Sequence, residues 1–170
     1  MDEETRNVLA ALQQNAKGNI ATIAKECHMS KAKCSRTIRH LEKTQKIWGY
    51  TAIVDERDLL YNKFILLLKR SRDKLVEINL DDVVAKEFKQ LYEPLGVRIE
   101  STYYLQGDYD WVVVITAPDL WRAKKFSHIL FDHFPMFDKN VNIMEVLFTR
   151  RAHYIVNPDQ SKLRELLSLV

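Results

Sequence analysis

Between residues 30 and 43 the chain reads SKAKCSRTIRHLEK, with Lys31, Lys33, Arg36, Arg39, His40 and Lys43 against one acid, Glu42. Ammonium and guanidinium groups at this density suit phosphates, and a guanidinium also matches the two acceptors on the major-groove edge of guanine. On a helix, Cys34, Ile38 and Leu41 fall within about 60° of one another, at about 100° per residue. Arg36, Arg39 and Lys43 project from the opposite side, so the helix has a core stripe and a separate cationic stripe. With Lys46, residues 30 to 50 hold six cations and one acid, a net charge of +5. The whole chain carries +3, which leaves the remainder slightly acidic. The cations are gathered on one element, and the expected partner is double-stranded DNA. Ala32, Ser35, Arg36, Arg39, His40 and Lys43 form the expected reading face. Arg36 and Arg39 are placed for bases, Lys31, Lys33 and Lys43 for phosphates, and Ser30 caps the helix start.

Other residues with reactive side chains fit structural roles better. Cys27 and Cys34 are seven residues apart, with no CxxC and no His/Cys set to complete a zinc site, and are expected as small buried fillers. His28 beside Cys27 is weak evidence for a metal. His133 at the apolar end of a helix and His153 beside Arg150 and Arg151 are expected as surface or partly buried groups. No catalytic residue, cofactor or metal is assigned. Asp108 and Asp110, in the turn Gly107-Asp108-Tyr109-Asp110, are favoured there because Asp tolerates turn geometry and caps local amides.

The elements that must position the cationic helix can be read from spacing. Asp2 caps a first helix through about Gln14, with Val8, Leu9 and Leu12 on one side. "NAKGN" breaks it, and Ile20, Ile23, Ala24 and Cys27 define a short second helix that turns at "HMS" into the cationic third. "KIWGYTAIVD" is rich in β-branched and aromatic residues and predicts a β-hairpin. Three short helices followed by a hairpin make a winged helix-turn-helix, in which the third helix enters the major groove.

After a connector around Leu59, Leu60 and Tyr61 the pattern changes. "FILLLKRS" predicts a buried strand, and Asp81 opens a helical pattern through Val84, Phe88 and Leu91. "VRIESTYYLQ" and "DWVVVITA" predict two strands joined at "GDYD", where Gly107 supplies a positive φ. Leu120, Ala123, Phe126, Ile129 and Leu130 mark a second helix from about Pro118 to Phe134. "KNVNIMEVLFTRR" predicts a fourth strand and "SKLRELLSLV" a terminal helix. The order is βαββαβ, so the fold class is α+β: a winged helix-turn-helix followed by a ferredoxin-like module. The expected domains are residues 1–55 for the winged helix, 56–63 as linker, 64–156 for the module and 157–170 for the last helix.

The chain has 170 residues, 46% hydrophobic and 29% charged, with four Gly and four Pro, the composition of a chain that buries a core. "MDEETRNV" has no positive n-region and no apolar run follows it, and no apolar stretch approaches the roughly 20 residues of a membrane span. A cytoplasmic protein without membrane contact is expected.

The start "MDEETRNVLAALQQNA", the helix "SKAKCSRTIRHLEK", "IWGYTAIVD" and "LQGDYDWVVVI" together resemble the Lrp/AsnC family, the leucine-responsive or feast/famine transcription regulators. The resemblance spans nearly the whole chain, with its most specific part from Arg36 to Ala52. It implies a DNA-binding winged helix and a βαββαβ (RAM) module that dimerises, assembles further to tetramers or octamers, and binds amino acids or related metabolites. It also implies that Gly107, Asp108 and Asp110 belong to an effector pocket, a carboxylate meeting the ligand ammonium. The family often has Gly where this chain has Gln45, and a small or hydroxyl residue where it has Gln106. Ser71 to Leu80 also makes a longer stretch than expected between the first strand and its helix. Unbroken apolar runs in the module, more than two helices can cover, argue independently for homodimerisation. Two rivals stand beside a site-specific regulator. One resembles the sirohaem decarboxylases, tetrapyrrole enzymes of the same architecture whose Asn-x-Trp-Phe stretch is replaced here by "STYYL". The other is an architectural DNA binder that senses nothing.

Overall fold

A computed structural model describes residues 1–71, 89–137 and 141–168. They divide into two compact units, Met1–Ile53 with Phe148–Val170 and, separately, Val54–Leu147. Each has its own core cluster, as the change of sequence pattern near residue 60 implies.

In the first unit, helices α1 (Glu3–Gln14), α2 (Ile20–Glu26) and α3 (Lys31–Lys43) enclose Val8, Leu12, Ile23, Ala24, Cys27, Cys34, Ile38 and Leu41. Each start is capped by a side-chain oxygen that takes an otherwise orphaned amide: Asp2 from Thr5, Asn19 from Ala21 and Ser30 from Lys33. The ends of α2 and α3 share one device. Met29 N–H donates to Ala24 C=O and His28 N–H to Lys25 C=O, and Lys46 N–H donates to Leu41 C=O and Gln45 N–H to Glu42 C=O. These are Schellman ends with His28 (φ 52) and Gln45 (φ 55) in the left-handed position usually given to Gly.

The expected hairpin over Ile47–Val54 does not form. Residues 48–55 have no strand pairing, and Trp48 is 96% exposed. Its β-branched and aromatic residues have no return strand to pair with, because the chain coils directly into a 3-10 helix, Glu56–Leu59, whose Arg57 amide is capped by Asp55. Strand structure in this unit lies instead near its C-terminal end, where β5 (Arg151–Ala152) and β6 (Ile155–Val156) form a short hairpin before helix α6 (Ser161–Ser168).

The second unit has strands β1 (Asn62–Leu68), β2 (Arg98–Tyr104), β3 (Trp111–Ala117) and β4 (Asn142–Glu145), with the short helix α4 (Lys89–Tyr92) and the longer α5 (Leu120–His133). The sheet order is β2-β3-β1-β4, antiparallel throughout, as in a split βαβ module. Period-two alternation sends Phe64, Leu66, Leu68, Val113 and Ile115 to one face, where they pack with Ala123, Phe126 and Leu130 of α5. The core-facing stripe of α5 differs from the expected one: Ser127 and Phe131 are buried, whereas Leu120 is 43% exposed, because Asp119 caps the helix and leaves Leu120 in its first turn. The fourth strand is also shorter than expected, ending at Glu145. The second unit closes at Leu147 rather than 156, and residues 148–156 join the first. Of the expected helix beginning at Asp81, residues 81–88 fall outside the described residues, as does most of the Ser71 to Leu80 stretch. Leu91 lies in α4. Among the described residues no helix is long and apolar enough to cross a membrane.

Candidate nucleic-acid interface

The stripe that anchors α3 is buried completely: Cys34 is 0% exposed, Leu41 2% and Ile38 9%. This fixes the rotation of the helix about its axis. Lys31, Ala32, Arg36, Arg39, His40 and Lys43 are consequently exposed, and Ser35 is half-buried. Among the described residues no ion pair or hydrogen bond holds the side chains of Arg36, Arg39, His40 or Lys43. The guanidiniums are therefore available to an external acceptor.

Two predicted contact residues have other occupations. Lys33 pairs with Glu4 of α1, and the Ser30 hydroxyl oxygen accepts the Lys33 amide at 3.2 Å as the helix cap. Glu42, the only acid of the segment, accepts a hydrogen bond from the Tyr50 hydroxyl at 2.9 Å. That contact joins the segment after α3 to its last turn, and partial desolvation of the phenol, with the hydrogen bond and charge of Glu42, pushes Tyr50 above its ordinary range. Sequence reasoning missed this tie, since Tyr50 reads simply as a β-forming residue. Burial pushes the Cys27 thiol up, helped by Cys34 and Glu26, and the Cys34 thiol up as well. Both are free and buried, which is the setting of an inert filler.

In the second unit Gly107, Asp108 and Asp110 lie in the turn between β2 and β3. Gly107 has φ 155, and a Cβ there would meet nothing within 4 Å. Asp108 is exposed. Asp110 braces the loop: its carboxylate accepts from Arg70 N–H at 2.7 Å, its own N–H donates to Leu68 C=O at 3.0 Å, and its C=O accepts from Leu105 N–H at 2.8 Å. Tyr109 of this turn faces a cleft. With Leu67, Lys124, Val141, Asn142, Ile143 and Met144 it lines a cleft of about 480 Å³. The Tyr109 hydroxyl accepts from the Asn142 amide, and Lys69 lies over its ring, 5.4 Å from the centroid. An ammonium, a phenol and an amide beside aliphatic walls suit a small anionic ligand with an apolar part. The only sequence signal for this cleft was an aromatic between two turn-forming acids.

A three-helix unit with an uncommitted cationic third helix, joined to an antiparallel β2-β3-β1-β4 sheet, defines a helix-turn-helix protein with a ferredoxin-like second module. A family of winged helix-turn-helix DNA-binding domains matches residues 1–47. The leucine-responsive regulatory protein of Escherichia coli strain K12 is 24% identical over 127 residues, 74% of this chain and 72% of that protein. The AsnC family transcriptional regulator from Agrobacterium tumefaciens superimposes with a TM-score of 0.62 at 17% identity, over 95% of this chain and 99% of that one. A transcriptional regulator from Neisseria meningitidis, solved as a complex with L-Met, does so at 0.57 and 18%, over 89% of this chain and 93% of that one. The chain is thus similar in sequence to leucine-responsive regulatory proteins and in fold to solved regulators of the AsnC type.

Proposed function

We propose that this chain is a sequence-specific DNA-binding transcriptional regulator that acts in the cytoplasm as a dimer or higher oligomer and answers to an amino acid or related small metabolite. Its activity is binding rather than catalysis. The supporting observation is the exposed set Arg36, Arg39, His40 and Lys43, without a side-chain partner among the described residues, on a helix whose rotation is fixed by a buried stripe. Arg36 and Arg39 read base edges, while Lys31 and Lys43 meet phosphates, with Lys33, Ser30 and Ser35 at the margin of the contact.

One helix buries too little surface for a strong site, and a two-fold pair reads half-sites about one turn apart. The sheet supplies a means of pairing. Opposite its core face it carries Ile65, Leu67, Val112 and Val114 half-buried, and Tyr103 and Met144 exposed. The effector site is the region of Gly107, Asp108 and Asp110, with the cleft beside Tyr109 as its apolar part; the relative solved with L-Met supports an amino acid of this kind.

Duplex binding by single variants tests the DNA reading. Arg36→Ala and Arg39→Ala are expected to cost roughly 1 to 3 kcal/mol each and relax the preferred sequence, whereas Lys43→Ala weakens all sequences alike. Unchanged affinity in both arginine variants would refute the recognition helix. Thermal shift with a panel of amino acids tests sensing independently: no stabilisation by any of them removes the effector and leaves DNA binding standing.

A further inference from the structure

The segment Phe148–Val156 contains Arg150, Arg151 and His153 and no acid. Its strands pair Arg151 with Val156 and Ala152 with Ile155. Two residues per strand are too few to stand alone in water, and the base of this hairpin is braced from outside it. Asn157 N–H donates to Arg150 C=O and its side-chain amide to Thr149 C=O, each at 3.0 Å. Asn157 Oδ1 accepts from Asp159 N–H, and Asp159 Oδ1 accepts from Ser161 N–H, both at 2.9 Å, which ties the hairpin to the start of α6.

The tip is His153 at φ 44 and Tyr154 at φ 70. Two consecutive left-handed residues make the tight turn whose twist suits a hairpin, usually built from Asn-Gly. Here the chain instead presents an imidazole and a phenol at the tip, with Tyr154 64% exposed. Among the described residues no ion pair or hydrogen bond holds the Arg150 or Arg151 guanidinium, and both residues are exposed. Arginines of the second unit contrast with this: Arg57 donates to Leu147 C=O, Arg98 lies over the Tyr61 ring and Arg122 pairs with Asp119.

The hairpin belongs to the same compact unit as α1–α3, and the segment after α3 forms no strand of its own. We infer that β5–β6 serves this unit as its wing. Arg150 and Arg151 contact phosphates of the duplex that α3 enters, and the Tyr154 ring packs against the sugar edge. The inference rests on the DNA-binding reading of α3. It commits to DNA rather than to a protein surface because the hairpin's charges are all cationic, carry guanidinium forks suited to phosphate, and add to the cationic charge this unit already carries on α3.

The test uses the full chain and a random-sequence duplex at several salt concentrations. R150Q/R151Q is expected to lower affinity about tenfold at moderate salt and to reduce the salt slope by roughly 1.8, two phosphate contacts' worth. R150K/R151K retains the slope. If the wild type binds no duplex at any salt, the regulator reading and this inference fail together. If the wild type binds and R36Q/R39Q weakens it while R150Q/R151Q matches wild type in affinity and slope, the wing alone is overturned. The same holds if R150Q/R151Q changes only the oligomeric state. Should the glutamine variant not fold, phenylglyoxal labelling of the wild type read by mass spectrometry serves instead. Protection of Arg150 and Arg151 by duplex is expected, and equal labelling with and without duplex overturns the proposal.

Discussion

Gln45 shows how one residue's backbone can carry a cost unrelated to its contacts. It occupies the left-handed position that ends α3 at φ 55, where a Cβ is disfavoured by about 1 kcal/mol or more relative to Gly. Gln45→Gly is therefore expected to stabilise the first unit by about 1 kcal/mol, read from its denaturant midpoint at unchanged slope. Lys63 is a different case. Its ammonium lies 2.7 Å from Glu56 and 2.9 Å from Glu100, with 12% of the side chain exposed. Burial alone would lower its pKa, but the hydrogen bonds and charges of the two glutamates outweigh it and hold the group above its ordinary value. The raised folded value makes this contribution full below the unfolded lysine range, near pH 10.4, and lost as pH climbs through the folded value. Stability of the second unit should thus be insensitive to Lys63 titration between about pH 6 and 9 and decline in strong alkali. Lys63→Met leaves two carboxylates facing each other and is expected to cost about 2 kcal/mol by thermal or chemical denaturation.

Individual elements were legible wherever local chemistry decides them. Caps at Asp2 and Ser30, the stripe Cys34-Ile38-Leu41 and the strands β1 and β3 are set by neighbours within a few residues, and the structure follows them. Ser30→Ala should cost about 1 kcal/mol of stability through loss of the cap on the Lys33 amide. It should also weaken DNA binding, because that cap starts the helix carrying Arg36 and Arg39. The wing was not legible for a tertiary reason. Trp48 to Val54 has the composition of a strand, but strand structure needs a partner, and the next residues coil into a 3-10 helix. The partner question is non-local, as is the grouping of Phe148–Val170 with the helices. The candidate site divides similarly. Exposure of Arg36, Arg39 and Lys43 follows from the stripe opposite them, whereas the employment of Lys33 by Glu4 and of Asp110 by Arg70 depends on chain segments about 30 to 40 residues away.

At the scale of the molecule, two separate cores make two centres of stability. Phe126→Ala removes a fully buried ring from the second and is expected to cost about 3 to 5 kcal/mol there. A probe in the first unit, such as amide exchange of Val8 or Cys34, should report a much smaller change. Equal losses in both would mean that the units unfold as one. In the proposed dimer the sheet face bearing Ile65, Leu67, Val112 and Val114 pairs the copies, so Val114→Lys should shift sedimentation toward the monomer and weaken operator binding more than non-specific binding. The central claim is that α3 presents an uncommitted cationic face to duplex DNA, and it is tested most directly by titrating the intact protein with duplex over a range of salt. A steep inverse dependence of affinity on salt is predicted, its slope reduced by about one in Lys43→Ala, with the sequence preference relaxed in Arg36→Ala and Arg39→Ala. Binding indifferent to salt, or unaltered in all three variants, would contradict it.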